Sequence, residues 1–138
     1  MTSELRVDNL KGSTTGGSIN VLGEGTSVTT NLQQGLAKLW CHLDMNQDPH
    51  TIDDSLNTSS VTDRNAGLIT VTASNAMASI NYTTVGSCWN GSSDNYSRLV
   101  SPDNARTTTN VLLATTLSSS GALLDAQDVD VINHGDLA

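Results

Sequence analysis

The most regular pattern along the chain is a strict alternation of apolar and polar side chains. Leu39, Cys41 and Leu43 fall on one side of such a pattern, and residues 68–73 (LITVTA) repeat it. A period of two residues predicts β-strands that are buried on one face. We therefore expect one strand beginning near residue 37 and a second at residues 68–73.

Weaker versions of the pattern recur along the chain, separated by short clusters of Gly, Asn, Asp and Ser that are typical of turns. These predicted strands comprise residues 55–63, 80–89, 96–100, 107–117 and 128–133. About seven short strands with turns between them favour an all-β fold, an antiparallel β-sandwich or jelly-roll-like domain over residues 31–138. Several strands are rich in Thr on one face, which is expected to face water.

Residues 1–30 have a different character. Five of the 11 glycines fall between residues 12 and 25, with short apolar alternations around them. Such a segment predicts extended pieces and turns rather than a packed unit, and we interpret it as an extended N-terminal attachment arm. Its candidate attachment contacts are Leu5, Val7, Leu10, Ile19 and Val21.

The junction between the arm and the β-domain carries a helix signal. Asn31 is a favourable N-cap residue, and Leu32 and Leu36 follow it at a mutual spacing of four residues. This pattern predicts one or two helical turns before the first strand of the domain. Further along, the polar segment at residues 44–54 contains Pro49 and is predicted to be a loop.

Large side chains are scarce for a chain of 138 residues. Aromatic residues make up 3% of the sequence, Phe is absent, and there are two Trp and two Tyr. A single domain of this length buries a modest fraction of its surface even with an ordinary core. We therefore expect contacts between subunits to supply part of the missing burial.

The charge of the chain excludes some classes of partner. Six Lys and Arg stand against 14 Asp and Glu, which gives a formal net charge of −8. Nucleic acid is not an expected partner, because binding it requires cations that neutralise phosphates. Membrane insertion is not expected either, because no apolar run approaches the roughly 18–20 residues of a span, and the polar N-terminus is unlike a secretory signal.

Familiar catalytic motifs do not occur in the sequence, which has no Gly-x-Ser-x-Gly elbow and no P-loop. The nearest cluster is Cys41-His42-x-Asp44. The alternation places Cys41 inward and His42 outward, so the two side chains cannot bind one metal ion together. We therefore expect no catalytic residue, no cofactor and no metal site.

The acidic segment after residue 43 resembles the start of a calcium-binding loop. Asp44, Asn46 and Asp48 match the first three ligand positions of an EF-hand, but Pro49 replaces the required Gly and Ser55 the required Glu. The EF-hand interpretation therefore fails. A looser ion site and a merely hydrated acidic loop remain as alternatives.

The two cysteines, Cys41 and Cys88, each lie beside a tryptophan on a predicted strand. A disulfide between them is geometrically conceivable. Reduced thiols in the core are favoured, because the sequence begins without a secretory signal.

Polar loops are the candidate outward-facing regions. Arg98 and Arg106 flank a loop close in sequence to Tyr96, and such side chains bind sugars or partner proteins at some surfaces. Ordinary surface positions explain them more simply. The candidate outward loop residues are Asp44, Asp48, His50, Asp94, Tyr96, Arg98 and Arg106.

Several of these stretches, taken in order, resemble a family of tailed-phage exterior proteins that is common among marine and cyanobacterial phages. In that family a short arm leads through a Gly-Leu-x-Lys-x-Trp element, here residues 35–40, into a β-rich domain. An Asp-Ser-aromatic-Asn-x-Ser-Ser run follows, and residues 54–60 match it except for Leu56 at the aromatic position. Next come an alternating strand, then Met77, and Tyr82 five residues later.

The resemblance covers most of residues 1–90 and implies a virion surface role and a trimer. It also directs attention to the large side chains near its motifs. The candidate core or oligomer contacts are Leu36, Trp40, Met77, Tyr82 and Trp89. The sequence departs from the family at Leu56 and Ala73, where the family usually has large aromatic residues.

Two functions follow from this resemblance, both on the surface of a virion assembled in the host cytoplasm. The first is a short trimeric fibre or spike that attaches to tail or major capsid proteins by its N-terminal arm and presents loops to a host surface receptor. The alternative is a capsid decoration, or cement, protein that stabilises the head. A glycan hydrolase is a third possibility, although its candidate acids lie in predicted loops without a spacing signature.

Overall fold

The computed structural model describes residues 4–15, 17–22, 28–91, 98–102 and 106–138, the segment 98–102 by its backbone alone. The chain divides into two units, Met1–Leu36 and Ala37–Ala138. The first unit extends six residues beyond the arm expected from the sequence.

Asn31 organises the described part of the first unit. Strands β1 (Asn20–Leu22) and β2 (Thr29–Asn31) pair antiparallel, and helix α1 (Leu32–Gly35) follows directly. The Asn31 side-chain oxygen accepts hydrogen bonds from the backbone N–H groups of Gln33 and Gln34 at 3.0 and 3.1 Å. Its Nδ2 atom donates to the carbonyl of Gly17 at 2.7 Å. The predicted helical turn and its cap are therefore confirmed.

The second unit consists of two antiparallel sheets of four strands each. Sheet I has the strand order β4-β3-β10-β7, and sheet II has the order β5-β6-β9-β8. The strands are β3 (Leu39–Asp44), β4 (Thr51–Leu56), β5 (Thr58–Asn65), β6 (Leu68–Ala73), β7 (Thr83–Trp89), β8 (Arg98–Pro102), β9 (Asn110–Leu117) and β10 (Asp128–His134). The predicted all-β sandwich is confirmed.

The core lies between the inner faces of the two sheets. Leu39 and Leu43 on β3 point into it from sheet I, and Ile69 and Val71 on β6 meet them from sheet II. All four are fully buried, as the alternation predicts. Asn133 on β10 is also fully buried, and its side-chain amide has no hydrogen-bond partner among the described residues.

The chain passes from sheet I to sheet II at Asn57, which adopts a φ of 58°. Its Nδ2 atom donates to the carbonyls of Lys38 and Asn75 at 2.9 and 3.1 Å, and its Oδ1 atom accepts from the Asn75 N–H at 2.7 Å. The expected single strand at residues 55–63 is therefore wrong. Asn tolerates the left-handed conformation better than most residues, and its side chain holds the corner in place.

Two other expected boundaries differ. Strand β4 begins at Thr51, inside the segment expected to be a loop, because residues 51–56 pair with β3. Strand β7 begins at Thr83 rather than at Ile80. The Tyr82 hydroxyl lies within hydrogen-bond distance of the Thr107 and Asn110 carbonyls, at 3.0 and 3.1 Å, and so holds the chain just before β7.

Cys41 and Cys88 lie on strands that flank β10, where Cys41 pairs with Val131 and Cys88 pairs with Val129. Two strand spacings of about 4.8 Å separate them, which exceeds the reach of a disulfide. Burial raises the pKa of the Cys41 thiol to about 12, although a hydrogen bond with Thr58 opposes part of this rise.

Candidate functional site on the outer face of sheet I

Four apolar side chains form a row across the solvent-facing side of sheet I. The strand registers place Leu56, Trp40, Ile132 and Val85 side by side on β4, β3, β10 and β7. Val85 is 62% exposed, and Leu56 and Ile132 are also exposed, whereas Trp40 is half-buried. We call these four residues the apolar row.

A second row, two residues along each strand, is polar. Asp54, His42, Asp130 and Ser87 occupy it, and we call them the polar row. His42 Nδ1 donates to Asp130 Oδ1 at 2.8 Å, and Ser87 Oγ donates to Asp130 Oδ2 at 3.1 Å. Asp130 therefore links three neighbouring strands through its two carboxylate oxygens.

The hydrogen bond that His42 donates to Asp130 raises the pKa of His42 above its usual value, and the nearby charges of Asp128 and Asp53 add to this effect. His42 Nε2 lies 3.9 Å from Asp53 Oδ2, so the imidazolium form has a carboxylate on each side. The imidazole consequently becomes cationic at a higher pH than an isolated histidine.

The His42, Asp130 and Ser87 side chains do not form a nucleophile and base. In a catalytic triad the histidine lies between the carboxylate and the hydroxyl and accepts the hydroxyl proton. Here the carboxylate lies between the other two, and the Ser87 hydroxyl donates to it. Within this row, Asp130 acts as the acceptor that orders its neighbours.

The third row adds more negative charge and an exposed ring. Asp44 and Asp128 pair across β3 and β10, and Trp89 lies beside Asp128 on β7 with 57% of its surface exposed. Asp44 also closes the following turn, because its carboxylate accepts from the Asn46 N–H at 2.7 Å. The four fully described strands of sheet I contain no Lys or Arg.

Two open depressions lie on either side of Ile132 and Asp130. One, of about 230 Å³, is also lined by Trp40 and His42. The other, of about 100 Å³, is also lined by Val85 and Ser87. Both are smaller than the roughly 300–1,000 Å³ of typical small-molecule sites, and each has room for a side chain of a partner.

The expected core or oligomer contacts separate into two groups. Met77 and Tyr82 are buried in the core. Trp40 and Trp89 belong instead to the outer face of sheet I, and Leu36 is exposed at the end of the first unit. The sequence therefore placed two core residues and three surface residues in a single group.

The expected outward loop residues also divide. Asp44 is the last residue of β3, and Asp48 is exposed in the following turn. His50, expected to face outward, is only 8% exposed, which corrects that expectation. Its Nδ1 donates to the Gln47 carbonyl at 3.0 Å, and its Nε2 lies 3.6 Å from Asp63 on β5.

Asp94 and Tyr96 lie outside the described residues, and Arg98 is described by its backbone in β8. Arg106 is half-buried rather than freely outward. Its guanidinium carbon lies 5.2 Å from the centre of the Tyr82 ring, and its Nη1 donates to the Tyr82 carbonyl. Arg106 thus helps to hold the turn before β7.

Most of the expected attachment contacts are exposed in the first unit. Leu5 is 77% exposed, and Val7, Leu10 and Val21 are exposed as well, whereas Ile19 is half-buried. Leu22 and Val28 are further exposed apolar residues of this unit, which the sequence analysis did not single out.

The sequence did not predict that the four residues of the apolar row lie together. It did contain a sign of an apolar outer face, because Trp40 and Ile132 lie on strands whose opposite face is also apolar. In the described part of the chain, no three His, Cys, Asp or Glu side chains are placed to hold a metal ion. No helix in that part is long and apolar enough to cross a membrane.

Comparison with known proteins gives no match. No protein-family model matches the chain, and neither a curated protein nor a solved structure matches it. The function must therefore be inferred from the residues and from the geometry that they adopt.

Proposed function

We propose that this chain is a non-enzymatic structural protein on the outside of a tailed-phage virion. There it forms a short trimeric fibre or spike that attaches through its N-terminal unit. The exposed apolar side chains of that unit carry the proposal. The order of motifs between residues 35 and 82, which resembles phage exterior proteins, and the β-sandwich that follows support it.

Leu5, Val7 and Leu10 give the attachment its physical basis. Each is exposed, so each gains when a tail or capsid protein buries it. Burial of one such side chain contributes about 1.5–3 kcal/mol. Three together contribute roughly 5–9 kcal/mol before the cost of association is subtracted. The sandwich is then left to contact a host surface receptor.

The test is a full-chain variant that carries Leu5→Ser, Val7→Ser and Leu10→Ser. We expect its amount in purified virions to fall by about tenfold or more, because the buried apolar area is lost. The matched control carries Ser13→Ala and Thr14→Ala, two exposed polar positions of the same unit. Circular dichroism checks that the sandwich remains folded. Unchanged incorporation of the triple variant would refute the attachment role.

A capsid decoration protein is the second candidate. It is favoured by the sequence given, in which no heptad or shaft repeat occurs. Cement proteins act by burying surface across several capsid subunits. Copy number distinguishes the two functions: a number comparable with that of the major capsid protein indicates decoration, and a number far below it indicates a fibre or spike.

A further inference from the structure

The apolar row is a continuous surface rather than a set of scattered residues. It crosses all four strands of sheet I, which spans about 14 Å at the usual strand spacing. Contiguous exposed apolar surface marks interaction sites more often than isolated apolar residues do. Trp40 is half-buried and lies between Leu56 and Ile132 in this row. It supplies the large rigid anchor that binding interfaces favour.

The charges beside the apolar row indicate which chemistry a partner needs in order to fit this face. Asp53 and Asp54 on β4, Asp44 on β3, and Asp128 and Asp130 on β10 place five carboxylates on the face. These four fully described strands contain no Lys or Arg, and their two histidines are His42 and His134. A partner that covers the apolar row therefore brings its own neighbouring groups within reach of these carboxylates.

A second copy of the same face is a poor partner. Laid on itself, the face would bring carboxylates close to carboxylates, and burying like charges costs free energy. A neutral apolar partner would remove water from Asp130 and its neighbours without replacing the lost interactions. A segment with Lys or Arg beside its apolar side chains satisfies both rows at once.

We propose that the outer face of sheet I binds an amphipathic polypeptide segment of a partner protein, whose apolar side chains lie against the apolar row and whose Lys or Arg side chains lie against the polar row. The two rows are about 7 Å apart, a separation that neighbouring side chains of one segment can match. The depressions beside Ile132 receive apolar side chains. This inference goes beyond the proposed function, because it needs no particular position on a virion.

The probe is a library of random peptides of about 12 residues, selected on the immobilised full chain and counter-selected on the Ile132→Ser variant. We expect the selected peptides to combine large apolar residues with Lys or Arg. Enrichment of acidic or uncharged peptides would overturn the proposal, and so would failure to recover any peptide whose binding depends on Ile132.

Selected peptides are then measured by fluorescence anisotropy against full-chain variants. Ile132→Ser, and separately Asp54→Asn with Asp130→Asn, are expected to weaken binding by about tenfold or more each. Asp8→Asn, an exposed carboxylate of the first unit, is the charge control and should leave affinity unchanged. Added salt should weaken binding to the wild type more than to the Asp54→Asn, Asp130→Asn variant. Equal affinity for all variants would overturn the proposal.

Further measurements on the same proteins test two other possible occupants of this face, a second copy of the chain and a glycan. Sedimentation velocity of the wild type and Ile132→Ser reports whether a second copy covers the face; loss of an oligomer in the variant would overturn the proposal. A glycan array that binds the wild type but not a Trp40→Ala variant would overturn it in favour of a sugar. Thermal unfolding of every variant shows that a loss of binding reflects the face and not the fold.

Discussion

The two outer faces of the sandwich have the same backbone architecture and different chemistry. On sheet II, Thr62 pairs with Thr70 and Ser60 with Thr72, so hydroxyl groups line β5 and β6 on that face, and the half-buried Leu112 of β9 lies beside Thr70. On sheet I the corresponding side carries Trp40, Ile132 and a cluster of carboxylates. Threonine suits a strand and also binds water, so this part of sheet II can face solvent. This difference supports the proposal that the apolar side chains of sheet I contact a partner.

The inner faces, by contrast, should respond alike to mutation. Leu43 on sheet I and Leu113 on sheet II are both fully buried in the shared core. Leu43→Ala and Leu113→Ala are each expected to lower the free energy of unfolding by about 2–5 kcal/mol, because each leaves a cavity. Urea denaturation measures the loss, and Val85→Ala on the outer face serves as the small-effect control. A loss at Leu43 no larger than the loss at Val85 would mean that sheet I does not share the core.

Exchanging the chemistry of the outer faces tests the comparison directly. Val85→Thr with Ile132→Thr makes sheet I resemble sheet II, and it should change the free energy of unfolding by less than about 1 kcal/mol while reducing binding of a hydrophobic dye. Thr62→Ile with Thr70→Ile makes the opposite change and should increase dye binding. Equal dye binding by both double variants would remove the distinction between the faces.

A smaller effect should appear in the pH dependence of sheet I. Because Asp130 raises the folded-state pKa of His42, the resulting stabilisation is present below the pKa of the unfolded chain, about 6.5, and is lost as pH rises through the folded-state pKa. Asp130→Asn should lower the pKa of His42 and reduce this component of the pH dependence.

NMR titration of the His42 ring protons measures that pKa directly. Ser87→Ala is the matched control, because it removes a neighbour of Asp130 and keeps the bond between His42 and Asp130. A His42 pKa that is the same in Asp130→Asn and in the wild type would show that the hydrogen bond does not set it.

The sequence predicted the inner faces well, because an alternation such as Leu39, Cys41 and Leu43 reports burial strand by strand. It did not predict the break at Asn57, where a left-handed residue and its side-chain hydrogen bonds move the chain between sheets. It did not predict the inward position of His50 either, whose Nε2 atom lies 3.6 Å from Asp63 on another strand.

The candidate site was less accessible to sequence reasoning for a related reason. Trp40, Ile132 and Val85 lie far apart along the chain, and they become neighbours through the registers of β10 with β3 and with β7. Register depends on the pairing of distant strands, so one sequence reveals the members of the row without revealing the row. The bridging role of Asp130 depends on the same registers.

Strand β10 comes after the other described strands in the chain, yet it lies in the middle of sheet I, between β3 and β7. During synthesis, β3 and its hairpin partner β4 leave the ribosome long before residues 128–134 exist. Sheet I cannot close until that segment emerges, and pairings between such distant segments form slowly. A chain truncated before residue 128 would therefore form an incomplete sandwich with exposed core residues. We expect proteases to degrade such a chain, so it would not serve as a shorter working protein.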